Sequence, residues 1–589
     1  MKLVALRLLI ISFALVGSAA SGPALAAPAK AWTDAQVQQI LAQTLTVRLD
    51  PDLSKLSAGE RRAVDKLVAA GRLVQDVYEL QLHRDARRVA RQVAKDPARA
   101  QLRRLFHGPI ATTLDNRREP FVAVEMAPPG GNSYPWDLTK AELDAYLAAH
   151  PADAAELTDL RSVVARATAA NLRRHRATLQ RFPVLAGLHL ALGRKLAALA
   201  RRPDARTLYA VPYAVEYAPQ MVEVHRLLGE AADAVEAEDW PLAKYLRNRA
   251  RDLLTNDYES GDAAWVTSRF RRLNVQLGAY ETYDDRLLGT RASYSMSVLV
   301  RRDAESDALA VAMKGLQDLE NALPYDRKKA VRDSGPVGVY DVIADFGQAR
   351  SANTASILPN EAYLAERYGR TILLRANIMR DPKLFDEARA LWRAAVAPAH
   401  VADLDIEGSF YRTLWHEVGH YLGVAVTADG RSLDVALAPD GNLLEELKAD
   451  LVSLYSARAL RAKGYYDDRK LRAVYASGVL RVLQRARPRR DQPYNAMQLM
   501  QWNWFLEKGL LRFDGAGKLA IAYDRYHDAV AALLKEVLAL QSAGDPAKAD
   551  AFIVRYSTWD EARHGQLAAA LRASPTKRFR LMRYAALGE

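Results

Sequence analysis

The stretch Phe410-Tyr411-Arg412-Thr413-Leu414-Trp415-His416-Glu417-Val418-Gly419-His420 decides how the rest of the chain is read. Phe410, Leu414, Val418 and Leu422 recur at helical spacing, and Gly423 can end the helix. His416 and His420 are four residues apart, so a helix places both imidazoles on one face, able to converge on a single ion. Glu417 lies beside the first histidine, within reach of a water on that ion. Gly419 costs about 1 kcal/mol relative to Ala in a helix interior, which points to a close approach by substrate or a neighbouring backbone. With 11 His in 589 residues, chance should produce this pattern roughly 0.01 times. The plainer reading is two surface histidines on a helix.

A metal with catalytic work to do takes three protein ligands. The chain has no cysteine, so they must be His, Asp or Glu. Glu445-Glu446-Leu447-Lys448-Ala449-Asp450 follows, on a helix opened by Gly441 and Asn442 with a stripe of Leu443, Leu444, Leu447, Leu451 and Leu454. Glu446 and Asp450 share a face of it. Glu446 can bind the ion while Asp450 accepts the outer N–H of a ligand histidine. Taken alone, the segment would read as an acidic first turn favoured by the helix dipole.

This donor set predicts a zinc peptidase: one zinc ion on His416, His420 and Glu446, with Glu417 activating a zinc-bound water. Cobalt or manganese could occupy the same ligands.

At 589 residues, the chain needs more than one core. Residues 1–26 read as a signal peptide. Lys2 and Arg7 form a basic start, an apolar run spans Leu8 to Val16, and Ala24-Leu25-Ala26 allows cleavage after Ala26. The expected location is periplasmic or secreted, with no stable membrane insertion. Lys and Arg total 83 against 70 Asp and Glu, a net charge of +13. The dense runs Arg84–Arg104 and Arg485–Arg490 read as solvated faces, and no nucleic-acid partner is expected.

Helix is expected over Thr33–Leu49, Ser57–Lys95, Ala152–Arg181 and Met221–Leu254, and from Pro382 onward. Thr139 and Glu142 suggest a capping box. Strands are expected at Tyr294–Val300, Val339–Phe346 and Thr371–Ile378, with a short one at Leu519–Ala522. The fold class is α+β, predominantly helical.

The paired motifs resemble those of the dipeptidyl peptidase III family, in a form with five rather than six residues spanning the histidines. Gly278-Ala279-Tyr280-Glu281-Thr282-Tyr283-Asp284-Asp285 is similar to the family's Gly-x-x-Glu-x-Tyr-x-Asp segment. Leu358-Pro359-Asn360-Glu361 is similar to its Leu-Pro-Asn-Asp/Glu segment, and Pro129–Trp136 resembles a loop of its bacterial branch. The resemblance implies two lobes around a wide cleft, a helical zinc-bearing upper lobe and a lower lobe with a small β region. The implied division is 27–294 lower, 295–340 upper, 341–387 lower and 388–589 upper. It further implies a peptide substrate, release of dipeptides, and outer-shell roles for Glu445 and Asp450.

Substrate contacts are expected at Asn360, Tyr494, Asn495, Asn274 and Gln276. The chain departs from the family pattern at Asn274, where an acidic residue is usual, at Gln276, where tyrosine is usual, and at Ile357, where asparagine is usual. Tyr494 or Asn495 stands near the family's histidine. A broader zinc oligopeptidase and a non-catalytic peptide- or metal-binding protein of the cell envelope are the alternatives; Glu417 argues against the second. His527 and His564 read as packing residues. Tyr280 and Tyr283 fit either core or cleft.

Overall fold

The computed structural model describes residues 31–312, 314–331, 337–350 and 353–589, so the expected signal peptide lies outside the described residues. A five-stranded sheet sits at the middle of the molecule. Its strands are β1 (Leu273–Glu281), β2 (Ser293–Arg301), β3 (Val337–Gly347), β4 (Ala355–Leu358) and β5 (Thr371–Arg375), in spatial order β1-β2-β3-β5-β4. β3 and β5 pair in parallel and the other neighbours are antiparallel.

Alternation along these strands feeds two large cores. Tyr340 and Leu373 join a core with α1 (Ala58–Leu82), α2 (Ala218–Val235) and α3 (Trp240–Thr255). Val339, Ile372 and Leu374 point the other way. They join a second core with α4 (Ile406–Tyr421), α5 (Gly441–Ala462), α6 (Asp468–Val482), α7 (Pro493–Glu507) and α8 (Tyr526–Ala543). The fold is α+β with helix predominating. The boundaries expected at 294/295 and 340/341 fall inside β2 and β3, because the sheet is shared by both cores.

Local chemistry explains the helix starts. Ser57 and Glu60 form a reciprocal capping box at α1. Asp239 caps α3, and the side chain of Asp405 caps α4 by accepting from Glu407 N. Thr139 accepts from Glu142 N, the first half of the expected box.

Four expected helices are corrected, of which Ser57–Lys95 is two, Ala58–Leu82 and Ala86–Val93. The helix expected at Thr33–Leu49 ends at Ala42, and Thr44–Leu49 is a strand paired in parallel with Phe579–Tyr584. Ser162–Ala167 is a strand paired with Asp204–Pro212, not helix. Met221–Leu254 is two helices, broken where Asp239 and Pro241 start the second. Leu519–Ile521 is a strand, as its pattern suggests. No helix among the described residues is long and apolar enough to cross a membrane.

Candidate metal centre

α4 and α5 cross where Gly419 meets Ala449. A Cβ on Gly419 would sit 2.5 Å from the Ala449 carbonyl oxygen. The glycine therefore serves a neighbouring backbone, one of the two reasons its sequence position allows. This close crossing brings Glu446 of α5 to the histidines of α4. The imidazoles of His416 and His420 are 4.9 Å apart between centroids and nearly perpendicular. Oε2 of Glu446 lies 3.2 Å from Nε2 of His416 and 3.7 Å from Nε2 of His420. The candidate ligand atoms of all three lie within 4.8 Å of one another.

Each histidine is oriented from behind. Nδ1 of His416 is 2.9 Å from Oδ1 of Asp450, and Nδ1 of His420 is 2.9 Å from Oε1 of Glu445. Both Nε2 atoms therefore face Glu446. Asp450 is held by Arg412 at 2.6 Å, Arg481 at 3.2 Å and Gln501 at 3.1 Å. Burial would raise its pKa, but the two guanidiniums and His416 hold it well below the usual carboxylate range. Lys448 donates to the Gly419 and Leu422 carbonyls, each at 2.8 Å, and pairs with Glu445. Burial of Glu445 is likewise outweighed, by Lys448 and His420, and its pKa is lowered.

The arrangement fits a cation. Oε1 of Glu446 accepts from the Tyr283 hydroxyl at 2.8 Å. Oε2, on the same carboxylate, is buried without a hydrogen bond of acceptable geometry. A His₂Glu donor set with one carboxylate oxygen to spare suits zinc. Glu417 is also buried, and burial raises its pKa against the pull of His416 and His420.

Tyr283 and Glu281 extend the site from the end of β1. The Tyr283 and Tyr494 hydroxyls are 3.4 Å apart. Glu281 has its pKa pushed up to about 7, chiefly by burial, while Asn360 beside it favours the charged form. Tyr283 thus belongs to the site, whereas Tyr280 donates to Asp262 at 2.6 Å in the core.

The other expected contacts divide. Tyr494 lies against Tyr283, and Asn360 donates to the Tyr280 carbonyl at 3.4 Å beside Glu281. Asn495, one residue further along α7, donates to Gln484 at 3.2 Å and lines a different cavity. Asn274 is buried, receiving Trp265 Nε1 at 2.8 Å and donating to Tyr340 at 2.9 Å. Gln276 accepts from Ser356 at 2.8 Å and Arg375 at 2.9 Å. Ile357 is core. His527 stacks on Tyr455, and buried His564 bonds Asn503 at 2.9 Å, so both pack as expected. Arg412 and Arg481, which hold Asp450, and Arg375, which acts on Glu417, carry no sequence signal that separates them from the chain's other arginines.

No protein-family model matches the chain. Nudix hydrolase 3 of Arabidopsis thaliana is 26% identical over 440 residues, which is 73% of this chain and 54% of that protein. The chain thus spans about half the length of that curated relative. The structure of dipeptidyl-peptidase III from Corallococcus sp. strain EGB superposes with a TM-score of 0.82 at 24% identity, covering 95% of this chain and 99% of that one. That of dipeptidyl-peptidase III from Caldithrix abyssi gives 0.73 at 24% identity, covering 91% and 97%. With likeness over nearly the whole of both chains, this protein has the dipeptidyl-peptidase III fold.

Proposed function

We propose that this protein is a zinc-dependent peptidase that hydrolyses short peptides near a free amino terminus. One observation carries the reading. His416, His420 and Glu446 turn three ligand atoms toward one point, the third being the buried, unbonded Oε2 of Glu446, and Glu417 stands beside them. Zinc held there would supply a Lewis acid that polarises the scissile carbonyl and acidifies a water.

The remaining chemistry belongs to the chain. Glu417 takes the proton of the attacking water and returns it to the leaving amine; its raised pKa suits both tasks. Tyr283 holds Glu446 so that Oε2 faces the histidines. The Tyr494 hydroxyl, next to that of Tyr283, is placed to donate to the oxygen that becomes anionic. Glu281 and Asn360 offer a carboxylate and an amide to a peptide's ammonium end. The names of the structural neighbours favour release of dipeptides. The lobes would comprise the helices on either side of the shared sheet. The basic start and apolar run of residues 1–26 favour a periplasmic or secreted protein.

The test is to purify residues 27–589, measure bound metal, and digest short peptides with free and acetylated amino termini. One zinc per chain and dipeptide products from free peptides only are expected. Glu417→Gln should keep the zinc and lose turnover by about 10²–10⁴-fold. Undiminished cutting by that variant would overturn the mechanism, and equal cutting of acetylated peptides would overturn the amino-terminal register.

A further inference from the structure

The two basic runs of the sequence have different fates. Most of the first is paired: Arg87 with Asp76, Arg88 with Asp85, Arg99 with Asp34 and Asp96, and Arg103 with Glu79. Its last member, Arg104, and the first of the other run, Arg485, line one cavity of about 400 Å³. Arg350, Lys577, Arg578 and Arg580 complete a set of six cations there, against the single carboxylate of Glu387.

Three of these six cations have protein partners, and of the other three Arg104 and Arg580 are exposed to water while Arg578 is half-buried. Arg350 pairs with Glu589. Lys577 donates its ammonium to the Ala42 carbonyl at 2.7 Å, and Arg485 donates to the Lys577 carbonyl at 2.6 Å. Oε2 of Glu387 is taken by the Lys577 backbone N–H at 2.6 Å. Among the described residues, the guanidiniums of Arg104, Arg578 and Arg580 form no hydrogen bond and no ion pair, and Nε of Arg578 is buried without an acceptor. Burial and the nearby Arg578 and Arg580 depress the pKa of Arg485 to about 10. The cations of this cavity outnumber its one carboxylate, Glu387, which offsets only part of the charge of Arg485 and Arg580, so the space favours an anion.

We propose that this cavity is a binding site for a small phosphate monoester whose apolar body lies against the apolar part of the lining. Several guanidinium forks favour a tetrahedral dianion over a lone carboxylate. Phe106 and Phe579, in edge-to-face contact with centroids 5.4 Å apart, and Leu391, Leu480 and Leu571 supply the apolar wall. The site joins distant parts of the chain, since Arg104 lies on the helix Pro97–Phe106 of a third, smaller core, Arg350 follows β3, and Leu480 lies on α6 of the second core. It is independent of the peptidase reading.

The test is calorimetric titration of the zinc-loaded protein with phenyl phosphate, orthophosphate and sodium sulfate at one fixed ionic strength. One phenyl phosphate per chain is expected, bound more tightly than orthophosphate, with sulfate weakest. Arg104→Gln/Arg580→Gln should weaken phenyl phosphate at least tenfold and leave peptide turnover and circular dichroism unchanged. Arg578→Gln, a separate variant, should weaken it similarly. Equal affinity in the wild type and in these variants would place any binding elsewhere and overturn the proposal. So would phenyl phosphate binding no better than sulfate, or tight binding of a single-stranded oligonucleotide that excludes it.

Discussion

Nε2 of His416 stands 3.2 Å from Oε2 of Glu446, two buried groups that share one charge-sensitive contact. In the metal-free protein, burial disfavours a charged imidazole. Asp450 on one ring nitrogen and Glu446 on the other overcome this and raise the His416 pKa to about 9. A histidine must be neutral to bind zinc, so binding must expel that proton. Apparent zinc affinity should therefore rise about tenfold per pH unit between roughly 7 and 9 and level off above. The sign for stability is opposite. The contribution of His416 to the metal-free fold is complete below its ordinary value of 6.5 and is lost as pH rises through about 9. Competition with a chelator from pH 7 to 10 measures the first effect; an affinity independent of pH would show that His416 is already neutral.

The two carboxylates behind the histidines should behave differently when neutralised. Glu445→Gln keeps a hydrogen bond to His420 and removes a charge from a group that is partly exposed. It should cost about 10–100-fold in zinc affinity; buried Lys448 loses its carboxylate but keeps the Gly419 and Leu422 carbonyls, so the stability loss should be smaller than for Asp450→Asn. Asp450→Asn weakens the hold on His416 and also strips the charge partner from Arg412 and Arg481. Removing one side of such a buried pair costs about 3–5 kcal/mol. Its melting temperature should fall well below that of Glu445→Gln, both measured without metal. Equal melting temperatures would mean that the guanidiniums find other partners.

The candidate metal centre was legible because its parts are local. Four-residue spacing on one helix places His416 beside His420, and the same spacing on the next helix places Glu446 and Asp450 on one face. The opposite wall was not legible, because distant pairing decides it. Asn274 and Gln276, two residues apart on β1, share one face of the strand. Gln276 nevertheless turns to Arg375, which arrives from β5, and Asn274 is taken up by Trp265 and Tyr340. Asn495 missed the site by one step of a helix, about 100°, whereas Tyr494 did not. Thr44–Leu49 read as helix because its strand partner, Phe579–Tyr584, lies at the other end of the chain.

Tyr283→Phe separates orientation of a ligand from its presence. The phenol is the donor to Oε1 of Glu446 at 2.8 Å, and its loss leaves a buried carboxylate oxygen without that partner. Zinc should still bind, but more weakly, and kcat should fall by about tenfold or more if the hydroxyl also serves the reacting carbonyl. Tyr494→Phe should lower kcat with a smaller loss of zinc affinity than Tyr283→Phe, because its hydroxyl meets Tyr283 at 3.4 Å and is a lesser partner of Glu446. Metal titration beside steady-state kinetics on one peptide distinguishes the two; a change in neither quantity for Tyr494→Phe would remove it from the reaction.

Gly419→Ala tests whether the crossing of α4 and α5 sets the site. In an unobstructed helix, alanine for glycine is worth about 1 kcal/mol of added stability. Gly229 in α2, where an added Cβ meets nothing within 4 Å, should show that gain. At Gly419 the added carbon would lie 2.5 Å from the Ala449 carbonyl oxygen and 2.8 Å from its Cα. Those atoms are backbone and cannot rotate away, so the helices must separate. Such overpacking costs about 1–3 kcal/mol, enough to reverse the gain. Ala449 lies between Glu446 and Asp450, so the same separation carries Glu446 away from His416 and His420. Gly419→Ala should therefore melt lower than the wild type and bind zinc more weakly, while Gly229→Ala melts higher and binds zinc normally. Differential scanning calorimetry with and without zinc reads both. If Gly419→Ala lowered the melting temperature but left zinc affinity intact, the site would tolerate a wider crossing, and the glycine would serve packing alone.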